Sequence, residues 1–167
     1  MKLKKFYVIA ALFMLSFTGN AQVKVSPYLS AGYMSHLNRK GFSTEIGVDA
    51  DVIKWLNIAV DYRYSSLEKN NPNEVEIKVF STFVSYVFIN KLKHKLMAGP
   101  GFYYGNYKRY TEGLGFEKEY KDYGFHWLKV RYDYIFNPHY KIGVNASLYG
   151  DDGDGSTYLG AVVGYIF

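Results

Sequence analysis

Four histidines, His36, His94, His126 and His139, carry the side-chain type best suited to acid–base chemistry near neutral pH, and there is no cysteine. His36 is the one with the residue types of acyl-transfer chemistry close in sequence. Ser35 or Ser43 could act as nucleophile and Glu45 as the orienting acid, if folding brought them to one rim. No local motif frames either His36 or His126, and His126 is followed by Trp127 rather than a hydroxyl. His94 and His139 fall in short connections at the opposite end, away from an outer-surface substrate. Asp151-Asp152-Gly153-Asp154-Gly155-Ser156 gathers three acids, yet a calcium loop needs a downstream bidentate acid and Thr157-Tyr158-Leu159 supplies none. It reads as a polar hairpin. The sequence therefore predicts no metal, no cofactor and no enzymatic activity.

The remaining charges are more ordered. Glu45, Asp49, Asp61, Arg63, Lys129, Arg131, Asp133 and Lys141 all sit on the polar face of segments that alternate with period two. Eight such segments are legible: 25–33, 43–52, 56–64, 79–88, 95–105, 127–134, 140–149 and 159–167. Each is close to the ~9–11 residues with which a tilted strand spans a bilayer. One face of each is nearly free of charge, as with Leu56, Ile58, Val60, Tyr62 and Tyr64 against Asn57, Ala59, Asp61 and Arg63. In the sixth, Leu128, Val130, Tyr132 and Tyr134 oppose Trp127, Lys129, Arg131 and Asp133.

Connections alternate in length. Residues 53–55, 89–94 and 135–139 are short turns; 34–42, 65–78, 106–124 and 150–157 are longer and polar. Aromatic residues gather near both segment ends, with Tyr33, Tyr62, Tyr64, Phe80 and Tyr104 on the loop side. Trp55, Tyr86, Phe88, Tyr132, Tyr134, Tyr140, Tyr165 and Phe167 lie on the turn side. This is the pattern of an all-β, eight-stranded, antiparallel up-and-down transmembrane β-barrel with aromatic girdles. Eight strands enclose only side chains, so a large diffusion pore is excluded and inward charges need partners. Reflection about the turns predicts the pairs Glu45–Arg63 and Asp133–Lys141, joined by Asp49, Asp61, Lys129 and Arg131. The 106–124 connection interleaves Tyr107, Arg109, Tyr110, Phe116 and Tyr120 with both signs of charge, as a β-ribbon standing clear of the membrane would.

The termini agree. Met1-Lys2-Leu3-Lys4-Lys5, an apolar run over 6–17 and small residues before Gln22 predict a signal peptide over 1–21, leaving a barrel domain over 22–167. The leader carries three lysines, so 20 basic residues become 17 against 15 acids and the formal charge of +5 falls to +2. Nucleic-acid binding loses its support, since it needs a concentrated basic stripe. The 18 Tyr and 12 Phe exclude a disordered chain.

Gly160, Val163, Tyr165 and Phe167 resemble the C-terminal signal that outer-membrane barrels present to the barrel-assembly machinery. Through these residues and its strand pattern the chain resembles the small eight-stranded outer-membrane β-barrel proteins, OmpX-like proteins and the barrel domain of OmpA-like proteins among them. The resemblance implies a monomer in the outer membrane of a Gram-negative-type cell, with outer-membrane lipid, lipopolysaccharide and an unknown loop ligand as partners. It implies no peptidoglycan-binding domain, because the sequence ends with the barrel. Two alternatives stay open: a lipid A-modifying acyltransferase or deacylase working around His36, and a soluble lipocalin-like barrel with its apolar face inward.

Overall fold

Alternating segments can satisfy their backbone groups in hydrocarbon only by pairing on both sides. The computed structural model of the protein has that solution. It describes residues 23–36, 39–68, 75–111, 116–150 and 155–167; the expected signal peptide and the loop tips lie outside these. The strands are β1 Lys24–His36, β2 Arg39–Ile53, β3 Leu56–Leu67, β4 Val75–Lys91, β5 His94–Thr111, β6 Phe116–Asn137, β7 Tyr140–Tyr149 and β8 Ser156–Tyr165. Each pairs antiparallel with its neighbours in chain order, and β8 closes onto β1. At that seam Gly32 faces Gly160. A Cβ at Gly32 would collide with the backbone of Leu159 and Gly160, so this approach needs a glycine.

The barrel is polar inside and apolar outside. Leu29, Ile46, Val84, Ile142, Val144, Leu159 and Val163 are exposed around its waist, whereas Ser30, Glu45, Asn57, Arg63, Ser81 and Asn145 are buried. A lipocalin-like barrel would show the reverse, so the soluble alternative is excluded by this arrangement. Exposed rings ring both ends: Tyr33, Phe42, Tyr62, Tyr64, Phe102, Tyr104, Tyr123 and Phe125 on the loop side, and Trp55, Tyr86, Phe88, Tyr132, Phe136 and Tyr140 on the turn side. Inside, Gly47 makes room for the Tyr28 ring and Gly160 for Tyr158.

Three findings depart from the sequence reading. Trp127 does not face the lumen. A bulge between His126 and Leu128 gives β6 an extra residue against β7, so Trp127 and Leu128 both point outward, 71% and 40% exposed, and the alternation changes phase there. Trp127 Nε1 donates to the Gly150 carbonyl at 2.9 Å. Secondly, much of 34–42, 65–78 and 106–124 is strand rather than loop, because β-pairing continues past the girdle. Thirdly, β8 ends at Tyr165; Ile166 and Phe167 are instead held by single backbone bonds to His139 and Val25.

Candidate functional site

Every predicted lumen charge is buried and paired. Arg63 on β3 donates to Glu45 of β2 through Nε at 3.0 Å and Nη2 at 2.5 Å, as the register opposition of the two residues dictates. Lys129 on β6 reaches across the barrel to Asp61 at 2.5 Å and Glu45 at 2.9 Å. Arg131 lies 2.8 Å from Asp133 and 3.1 Å from Asp49. The second predicted pair is weaker than expected. Lys141 Nζ is 3.6 Å from Asp133 but donates to Asp49 at 2.7 Å, because the β6–β7 register sets Asp133 opposite Gly143 and Lys141 opposite Ile135. One further pair lies outside the set predicted from sequence: Lys95 Nζ donates to Asp51 Oδ1 at 2.5 Å. Five cations thus meet five carboxylates.

Tyr28 sits between the two halves of this network. Its hydroxyl donates to Asp61 at 3.1 Å and accepts from Lys129 at 3.2 Å, while the Arg131 guanidinium lies 4.1 Å over its ring. Arg63 lies likewise 4.1 Å over Tyr158.

Toward the loop end the lumen changes character. Met34, Leu67, Val75, Ile77, Val79, Tyr103, Tyr149 and Tyr158 form one buried apolar cluster with Tyr107 packed against it. Tyr107 is therefore an inward plug residue rather than the surface contact expected from sequence; its place in the alternation of β5, continued past Tyr103 and Gly105, was the available signal. The backbones of the other expected surface residues lie in the β5–β6 ribbon, Arg109 opposite Lys118, Tyr110 opposite Glu117, Thr111 opposite Phe116, and Tyr107 opposite Tyr120.

The histidines have partners other than those the sequence suggested. His36 Nδ1 and Ser156 Oγ of β8 are hydrogen-bonded at 2.6 Å. Ser43 donates to the Tyr64 carbonyl and accepts from Ser65, and Glu45 is deep in the network, so neither is assembled around His36. His126 Nε2 and Ser81 Oγ are 2.9 Å apart, but both are fully buried, with rings of Phe83 and Tyr149 each 4.6 Å from the imidazole. A serine–histidine pair so enclosed cannot meet a lipid or water-borne substrate. Among the described residues no group of three or more His, Asp or Glu could hold a metal ion.

Of the terminal residues, Gly160 packs inward against Tyr158, Val163 faces outward, and Tyr165 makes an edge contact with Phe167 at 4.9 Å.

A closed barrel with a charge-filled lumen, an apolar belt and two aromatic girdles is the architecture of the small eight-stranded transmembrane barrels. Solved structures of that kind superimpose on it. Neisserial surface protein A matches with a TM-score of 0.68 at 18% identity, covering 88% of this chain and 98% of that one. A major outer membrane protein of Thermus thermophilus matches at 0.68 and 13%, over 88% and 100%. Ail, the attachment invasion locus protein of Yersinia pestis, in complex with the heparin analogue sucrose octasulfate, matches at 0.65 and 12%, over 88% and 100%. At these identities the likeness establishes the fold. No family model matches the sequence, and no curated protein matches it.

Proposed function

We propose that this protein is a non-enzymatic outer-membrane barrel, exported by its N-terminal leader, whose membrane part anchors a contact surface built by β5 and β6. The observation that carries the reading is the shape of β6. It pairs with β7 only from His126 onward, so residues 116–125 are bonded to β5 alone and leave one strand edge unpaired among the described residues. That edge offers backbone donors and acceptors to a partner's strand, and the outward Tyr123, 79% exposed, and Phe125 offer apolar contact beside it. The lumen beneath is filled by paired charges and the apolar plug, which favours an anchor over a conduit. The neighbours with the same fold are outer-membrane proteins, which supports placing the loop end at the cell surface, next to lipopolysaccharide. The outward Val163 and the aromatic pair Tyr165–Phe167 at the turn end suit recognition by the barrel-assembly machinery.

Replacing 106–122 by a short turn tests this assignment. The truncated protein should still reach the outer membrane, migrate fast in unboiled gels and slow after boiling, yet lose cell-surface binding of its partner. Retained binding would refute the ribbon as the contact surface. His36→Ala separates this reading from the enzymatic one, since lipid A from cells expressing it should be indistinguishable by mass from that of the parent.

A further inference from the structure

Among the described residues the turn end of the barrel is open. A cavity of about 700 Å³ opens there, within the size range of small-molecule pockets. Four lysines line it, Lys24, Lys54, Lys95 and Lys141, against the single carboxylate of Asp51. Lys95 and Lys141 form the floor, each spending a hydrogen bond on the network, to Asp51 and Asp49. An ammonium has three donors, so both retain others next to the cavity they line. Lys24 and Lys54 stand exposed at the mouth with no carboxylate paired to them among the described residues. Ile53, Ile135 and Ile166 supply apolar lining beside these lysines, with Ser26 and Asn90 as further polar groups. Low-dielectric walls around like charges concentrate the field inside such a mouth.

We infer that this vestibule binds an organic anion, a carboxylate, phosphate or sulfonate group carried on an apolar body. Its charged group lies against the lysines and its body against the isoleucines. A free solute and the headgroup of an anionic lipid share that chemistry. Binding is independent of the β5–β6 ribbon and of which compartment the turn end faces.

The probe is a trisulfonated pyrene dye, whose charge keeps it out of zwitterionic bilayers, followed by fluorescence polarisation with the full barrel in phosphatidylcholine nanodiscs. Saturable binding is expected. It should weaken about tenfold in Lys24→Glu/Lys54→Glu, where attraction at the mouth becomes repulsion, and stay unchanged in Lys40→Glu at the opposite rim. Gel mobility with and without boiling confirms that each variant is closed. Ile135→Asp, which charges the wall without touching a lysine, should also weaken binding. Adding phosphatidylglycerol to the discs distinguishes the sources: competition with the dye assigns the site to a lipid headgroup, and undiminished binding assigns it to a free solute. Absence of saturable binding in phosphatidylcholine discs, or equal affinity in the parent and the double lysine variant, overturns the inference.

Discussion

Lys129→Met is the substitution that best tests the lumen as a charge network rather than a row of independent pairs. In the native barrel Lys129 Nζ holds Asp61 at 2.5 Å and Glu45 at 2.9 Å. After the change Glu45 still has Arg63 at 2.5 Å, so it remains compensated. Asp61 keeps only the Tyr28 hydroxyl at 3.1 Å and becomes a buried carboxylate without its cation. Stranding one partner of a buried pair costs ~3–5 kcal/mol. Asp61→Asn alone should cost far less, about 1–2 kcal/mol, because Lys129 retains Glu45 and the amide oxygen can still accept from Tyr28. Combining the two changes removes both the charge and its partner, so the double variant should recover about 2 kcal/mol or more relative to Lys129→Met. Urea titration of the barrel in detergent, read by gel mobility and by the fluorescence of Trp55 and Trp127, measures all four proteins. A double variant no more stable than Lys129→Met would mean that Asp61 does not depend on Lys129, and the network description would fail.

Depth in the membrane gives a second test. Val144→Lys places an ammonium on the outer belt and should destabilise by ~2–4 kcal/mol, whereas Tyr140→Lys at the turn-side girdle should cost only ~0–1 kcal/mol; equal effects in urea titration would contradict the assigned belt. Gly32→Ala should impair closure of the β1–β8 seam, by ~1–3 kcal/mol or more, seen as loss of the fast-migrating form. Tyr149→Ala with Tyr158→Ala thins the apolar plug and should raise conductance in planar bilayers above that of the parent; no difference would show that closure lies elsewhere.

The barrel was legible because one face of each segment was nearly uncharged, a signal that survives even where strands run long. Glu45–Arg63 was legible because adjacent antiparallel strands place the two directly opposite. What escaped had a physical reason in each case. The bulge at His126/Leu128 shows only in the pairing of β6 with its neighbours, and nothing in His126-Trp127-Leu128 announces it, so alternation alone puts Trp127 on the wrong face. Lys141 and Lys129 bond across the lumen, where proximity follows from barrel curvature rather than from reflection about a turn. Ser156 reaches His36 only because β8 closes on β1, joining residues 120 positions apart. The plug residues Met34, Leu67 and Ile77 fell in stretches read as polar loops, since their strands outlast the membrane span.

The distribution of those ten charges among the strands has a consequence for how the molecule is made. The first stretch of sheet, β2 and β3, contributes Glu45, Asp49, Asp51 and Asp61 with one cation, Arg63; the later stretch, β5 to β7, contributes Lys95, Lys129, Arg131 and Lys141 with one acid, Asp133. Laid flat, the inner surface is an acidic panel beside a basic one, three excess charges of each sign, separated by β4. Rolling the sheet brings the panels face to face, and it does so most effectively as hydrocarbon replaces water and the attraction strengthens. A half-rolled sheet would expose both panels to lipid without compensation. The same attraction that closes the lumen therefore favours a curled sheet over a flat one wherever water is excluded.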